Sequence, residues 1–191
     1  QLQSDEFALM HGGTSGVGHL AIQAMSALGY LVLATCGSDQ KVAAAQRFGA
    51  FAAFNYNDPD LASKVKAATN DKGISALLDV SAGAHFAADL DMMAPDGRIA
   101  HLSGGGGATL GVPLKKLMAK RLSITGSLLR PLALPRKAKV ADVIRRDVWP
   151  LLGQKVRPVI AHTFSLDQAA LAHAEMEQGR HIGKIVLSVP A

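Results

Sequence analysis

The stretch at residues 9–23, LMHGGTSGVGHLAIQ, decides how this chain is read. An apolar run over residues 7–11 stops at two glycines, 12 and 13, and two more follow at 16 and 18. From there apolar residues recur in steps of three and four, at Val17, Leu20, Ala21, Ala24, Met25 and Leu28. A short apolar run, a glycine-rich break and a 3.6-residue period predict a strand, a tight turn and a helix.

The glycines fit two frames. Read as G-x-G-x-x-G, the loop is Gly13-Thr14-Ser15-Gly16-Val17-Gly18, with serine at the second glycine. In that fingerprint the first glycine serves the turn, the second lets the backbone approach a pyrophosphate, and the third permits close helix–strand contact. Ser15 is a tolerable departure, because its hydroxyl can itself donate to a phosphate. Read as G-x-x-x-G-x-G, through Gly12, Gly16 and Gly18, the loop resembles that of the short-chain dehydrogenases. That family needs a Tyr-x-x-x-Lys pair for its acid–base chemistry. Tyr30 and Tyr56 are the only tyrosines, and Ala34 and Asp60 stand four residues beyond them. The first frame is therefore the one that does chemistry here, with the loop's N–H groups and the helix dipole facing an anion.

The alternation continues along the chain. Residues 30–35 read as a strand, Ser38 as the N-cap of a helix closed by Gly49, 52–55 as a strand, 61–69 as a helix, and 76–80 as a strand. A helix over 84–93, a strand from Gly97, a glycine-rich flexible stretch from Ser103, a helix over 114–120 and a sixth strand from Leu122 follow. Strands apolar throughout and separated by single helices imply parallel pairing with both faces covered. The expected fold is α/β, a Rossmann doubly wound parallel sheet of about six strands. Residues 138–152 read as a helix kinked at Pro150. The last forty residues break the rhythm with a strand over 156–162, a helix presenting Ala169, Ala172, His173 and Met176, and a strand from Lys184. The expected division is 1–152 and a C-terminal strand-helix-strand segment, 153–191.

Composition narrows the function. With 191 residues, 49% hydrophobic and 18% charged, the chain falls in the globular class. No apolar run approaches the roughly 20 residues that span a bilayer, and residues 1–7 lack the pattern of a signal peptide, so a cytoplasmic location and no membrane partner are expected. The single Cys36 cannot supply a multi-cysteine zinc site, and the seven histidines are scattered without ligand spacing, so no metal is expected. Ten Lys/Arg lie between Lys115 and Arg146 against one acid, Asp142. Without interleaved aromatics or a nucleic-acid motif, this block reads as a solvated face rather than a nucleic-acid surface.

The second strand bears on the cofactor. A Rossmann site selective for NAD places an acid about 20 residues beyond the loop. Here the sequence is Thr35-Cys36-Gly37-Ser38, and Asp39 falls inside the following helix. Without an acid a 2′-phosphate is not repelled, and Ser38 and Lys41 are placed to bind one, by helix N-terminus and by charge. NADP(H) is expected over NAD(H).

Together HGGTSGVGHLAIQ, ATCGSDQKVAAAQRFGA, FNY, LLDVSAG, APDGRI, KRLSITGSLLRP, VWPLL, RPVI and AHAEMEQGRHIGKIVL resemble the cofactor-binding half of the medium-chain dehydrogenase/reductase superfamily, and within it the zinc-independent quinone oxidoreductases. The segments run in family order over nearly the whole chain. The resemblance implies that Ser15, Gly16, Val17 and Gly18 contact the pyrophosphate, that Lys41 and Tyr56 hold the 2′-phosphate, and that Leu102, Ser103 and Gly104 pass beside the ribose and nicotinamide. It implies that Ser127 and Leu128 line the cofactor, that Lys184 reaches its phosphates, and that a homodimer forms through the strand at 122–129. In the family an N-terminal GroES-like barrel supplies most of the substrate pocket; nothing in these residues matches it, and no catalytic residue is assigned. The expected activity is hydride transfer from NADPH to a quinone or activated enone. The alternatives are an enoyl reductase domain of a larger synthase and a non-catalytic NADP(H)-binding module.

Overall fold

The computed structural model describes residues 2–80, 85–104 and 109–189. Six strands, β1 (Phe7–His11), β2 (Leu31–Cys36), β3 (Ala52–Asn55), β4 (Ile74–Asp79), β5 (Met93–His101) and β6 (Ser123–Gly126), form one parallel sheet in the order β3-β2-β1-β4-β5-β6. This is the doubly wound Rossmann fold. Its order reverses between β1 and β4, where the carboxyl ends of the strands open a crevice.

Five helices make the crossovers: α1 (Gly18–Ala27), α2 (Asp39–Arg47), α3 (Leu61–Ala68), α4 (Phe86–Met92) and α5 (Leu114–Lys120). Strand alternation sends Leu9, Leu33, Leu77 and Ile99 into one core with Leu61, Val65, Phe86 and Leu90. Val32, Ala34 and Cys36 point the opposite way, into a second core with Ile22 and Ala45. The small residues of the second core let α1 and α2 lie close to the sheet.

The helical face of α1 differs from the sequence expectation. Gly18, His19 and Ile22 are the buried positions, whereas Val17 and Leu28 are 48% and 42% exposed. Gly18 abuts the Gly12 carbonyl, and Ile22 packs with Val32, Ala34 and Cys36 of β2. Apolar spacing alone could not fix this face, because the apolar positions wrap around more than one.

Other boundaries shift for local reasons. Within β5 the ladder passes from Met93 opposite Ile74 to Arg98 opposite Ala76, so 94–97 loop out at Asp96, whose φ is 61°; Gly97 is the hinge back into the ladder. The expected start of α4 at Ala84 and the glycine stretch at 105–108 lie outside the described residues. The helix expected from Ala138 begins earlier, as α6 (Leu134–Val143) with Pro135 in its first turn, and continues through a π-turn at Ile144–Val148 and a 3-10 turn at Trp149–Leu151. Proline at the start costs no hydrogen bond, whereas Pro150 tightens the end.

The strand expected at 156–162 lies later, as β7 (Ile160–Ser165), because Val156 makes only an isolated bridge with Leu152. With α7 (Ala169–Glu177) and β8 (Lys184–Ser188) it forms a separate two-stranded parallel sheet. Ala172, His173 and Met176 share the face of α7 that meets Ile185 and Leu187 of β8.

Candidate functional site

At the glycine turn each glycine has a separate steric reason. Gly12 takes φ 67°, and Ser15 N–H donates to its carbonyl at 2.9 Å. A side chain on Gly13 would fall 2.7 Å from Ala34 Cβ, and one on Gly18 would strike the Gly12 carbonyl. Gly13 N–H donates to the Thr35 carbonyl at 3.0 Å, tying the turn to the end of β2. The left-handed turn thus falls to Gly12, and Gly13 serves close approach to β2, a division that the sequence frame did not separate. Ser15 Oγ accepts from Gly18 N–H at 3.0 Å, leaving its own proton free to donate.

Lys184, at the start of β8, lies over this turn, its Nζ in the space that a Cβ on Gly16 would fill. Its reach is fixed by backbone bonds: Gly183 N–H donates to the Thr14 carbonyl at 2.9 Å and Lys184 N–H to the Val159 carbonyl at 2.8 Å. His19 adds to this connection. Its Nδ1 donates to the Ser15 carbonyl at 2.7 Å and its Nε2 accepts from Val159 N–H at 3.1 Å, which fixes a neutral tautomer. Gln23 exchanges bonds with the backbone of Arg157 in both directions.

At the end of β2, Ser38 is the N-cap of α2, its Oγ accepting from Lys41 N–H at 3.3 Å. A Cβ on Gly37 would fall 2.5 Å from Tyr56 Oη, so the tyrosine hydroxyl rests over Gly37 beside Ser38. The nearest acid, Asp39, is engaged by Asn55 Nδ2 at 3.0 Å. The Lys41 ammonium donates to the Gly179 carbonyl, at the end of α7. Tyr56 is thus brought over the residue that precedes Ser38, and Lys41, with one of its three ammonium donors on the Gly179 carbonyl, keeps two for a further acceptor. Burial pushes the Cys36 thiol above its ordinary pKa, against a hydrogen bond from Thr14 and the nearby charge of Lys41.

Leu102, Ser103, Gly104, Ser127 and Leu128 line one cavity of about 630 Å³, together with His101, Leu132 and Arg136. It opens beyond the carboxyl ends of β5 and β6, in the half of the sheet opposite Ser38. The expected site residues therefore form three clusters: the glycine turn with Lys184, the Ser38–Tyr56 corner, and this cavity.

Two buried His–Asp pairs at the strand ends were not legible in the sequence. His11 Nδ1 is 2.7 Å from Thr35 Oγ1 and its Nε2 3.0 Å from Asp89 Oδ1. His101 Nδ1 is 3.2 Å from Asp79 Oδ2. Each pair joins residues from different elements, so no sequence spacing announces it. Among the described residues no group of three His, Cys, Asp or Glu is placed to hold a metal ion, and no helix is long and apolar enough to cross a membrane.

The turn suits a dinucleotide phosphate, since the missing side chain at Gly16 lets the Lys184 ammonium lie against it. Comparison with known proteins agrees with the architecture. The family model for zinc-binding dehydrogenases matches residues 16–145. Quinone oxidoreductase of Rattus norvegicus is 27% identical over 189 residues, covering 97% of this chain and 55% of that protein. A phenolphthiocerol/phthiocerol polyketide synthase polypeptide of Mycobacterium tuberculosis is 28% identical, covering all of this chain and 9% of the synthase. The structure of Escherichia coli quinone oxidoreductase complexed with NADPH superposes with a TM-score of 0.83 at 25% identity, over 98% of this chain and 58% of that one. The chain spans about half the length of the quinone oxidoreductases it matches. With its sheet order, its glycine turn and these matches, the chain belongs to the zinc-binding dehydrogenase family of the medium-chain dehydrogenase/reductase superfamily, as a cofactor-binding domain of the quinone oxidoreductase type.

Proposed function

We propose that this chain is the NADP(H)-binding domain of an oxidoreductase that passes a hydride from NADPH to a quinone or activated enone, without zinc. The observation that carries the reading is the glycine turn with Lys184 across it. When bound, the nicotinamide supplies the hydride; the protein supplies position and charge. The N–H groups of Ser15 to Gly18 and the Lys184 ammonium neutralise the pyrophosphate. Ser38, Lys41 and Tyr56 hold the 2′-phosphate, and the acid nearest that corner, Asp39, lies in the first turn of α2 bonded to Asn55 rather than at the end of β2, where an NAD-selecting acid stands. Thr14 backs the turn through its carbonyl bond to Gly183. Leu102, Ser103, Gly104, Ser127 and Leu128 enclose the nicotinamide end.

In this reading residues 1–152 form the cofactor domain, and 153–191 rejoin a substrate-binding domain that the longer relatives carry. The open edge of β6 pairs with its copy in a homodimer, through 122–129, and the protein works in the cytoplasm. Titration of NADPH and NADH by nicotinamide fluorescence, followed by quinone-dependent NADPH oxidation, tests this. Tight binding of NADPH over NADH and quinone-dependent turnover support it; equal affinities refute the roles of Lys41 and Tyr56.

The match to a polyketide synthase favours a second reading, an enoyl reductase domain. Reduction of an enoyl thioester in preference to 1,4-benzoquinone would select it. Binding of NADPH with no turnover on either acceptor would select a non-catalytic module.

A further inference from the structure

Asp79 and His101 are the last residues of neighbouring strands and stand opposite each other in the β4–β5 ladder. The Asp79 side chain is 3% exposed and that of His101 16%. Both ring nitrogens of His101 are buried and, among the described residues, neither makes a hydrogen bond of good geometry, Nδ1 lying in ion-pair range of Asp79 Oδ2; the ring packs on Phe86 at a centroid distance of 5.9 Å. This sets His101 apart from His19 and His11, whose ring nitrogens are both engaged. A buried polar atom left unpaired forfeits its hydration with nothing in return, so an imidazole in that state marks a place where a ligand group completes it.

His101 also lines the 630 Å³ cavity, with Ser103, Ser127 and Arg136 as the other polar residues. The His101 carbonyl accepts from Ser127 N–H at 3.1 Å, which fixes the strand end relative to the cavity wall. The Asp79 carboxylate lies beside Nδ1, the arrangement by which a carboxylate orients an imidazole, so that Nε2 is the nitrogen with no partner among the described residues. Among the described residues, Asp79 from β4 faces the ring, Arg136 from α6 lines the same cavity, and the Phe86 ring of α4 packs on it. Arg136 has no ion-pair partner among the described residues and adds positive charge where an acceptor oxygen becomes negative.

We propose that His101, oriented by Asp79, donates the proton that completes reduction of the acceptor bound in this cavity. The proposal rests on the hydride-transfer reading given above. The acceptor gains two electrons and one proton as hydride when the C4–H bond of the reduced nicotinamide breaks. Its oxygen, left anionic, takes a second proton from His101 Nε2, and the neutral imidazole regains one from water. Quinone, NADPH and one proton thus become hydroquinone and NADP⁺.

The test has a binding arm and a turnover arm on the same chain. With NADP⁺ bound, 4-nitrophenol serves as probe of the acceptor-oxygen site; the wild type is expected to bind it at least about tenfold more tightly than His101→Gln, the value of one charge-assisted hydrogen bond. NADP⁺ affinity and circular dichroism should be unchanged in the variant. Reduction of 1,4-benzoquinone should fall about a hundredfold in His101→Gln, the lower range for a general acid. It should be partly restored to His101→Ala by added imidazole, which a structural role would not allow. Asp79→Asn should show a smaller loss of the same kind. Equal nitrophenol affinity in wild type and variant, or no binding to the wild type, overturns the proposal. A wild type that binds NADPH and never oxidises it counts against the functional reading, and the nitrophenol comparison then decides His101 separately.

Discussion

The Lys184 ammonium occupies the space above Gly16 that any side chain there would need. Residues 168 positions apart in sequence thus share one site, because Gly183 is bonded to Thr14 and Lys184 to Val159. The C-terminal segment and the glycine turn are thereby held together.

Removing the cation should weaken cofactor binding without unfolding the domain. Lys184→Ala is expected to raise the Kd for NADPH by about tenfold or more, since a charge-assisted hydrogen bond contributes about 1.5–3 kcal/mol. The loss should shrink at high salt, where the charge is already screened. Fluorescence titration at two ionic strengths checks both points, and an unchanged Kd would remove Lys184 from the site.

At the Ser38 corner, the Lys41 ammonium gives one donor to the Gly179 carbonyl and keeps two for a 2′-phosphate. Lys41→Ala should therefore weaken NADPH binding about tenfold while leaving NADH within about twofold. A parallel loss for both cofactors would show that Lys41 acts only by holding the C-terminal segment.

Gly18→Ala places a methyl group against the Gly12 carbonyl, with backbone on both sides and nothing flexible to yield. Overpacking of this kind costs about 1–3 kcal/mol, read as a lower urea midpoint at constant m. A variant as stable as the wild type would mean that the turn can open to admit a side chain.

His19 joins Ser15 to Val159 through both ring nitrogens. In His19→Leu the Val159 N–H loses its partner, at about 1–3 kcal/mol for the group left unsatisfied, while the Ser15 carbonyl keeps the backbone N–H of residue 19. Limited proteolysis should then cut within 153–168 faster than in the wild type. Unchanged cleavage would show that Gln23 alone suffices to hold Arg157.

Cys36 is 1% exposed and its thiol titrates above the ordinary range because burial disfavours the thiolate. The neutral thiol is the form the fold favours, so this contribution to stability is present below the unfolded-state pKa and is lost as pH rises through the folded one. Iodoacetamide at about pH 8 should therefore label the native chain far more slowly than the urea-unfolded chain. Equal rates would mean that the thiol is exposed.

The glycine spacing, the Ser38 cap and the rhythm of apolar strands and helices determined the fold class from sequence, because each is a local property: a turn that needs glycine, an orphan N–H that needs an acceptor, a period that matches one element. What the tertiary structure decided is everything that depends on which strand lies beside which. The order β3-β2-β1-β4-β5-β6 sets Asp79 against His101 and places His11 between Thr35 and Asp89. The close approach of Gly18 to the Gly12 carbonyl, and the position of Lys184, tied by a backbone bond from Gly183 to Thr14, belong here too. These are contacts between distant parts of the chain, and sequence periodicity carries no information about them until parallel pairing brings the strand ends to one edge of the sheet.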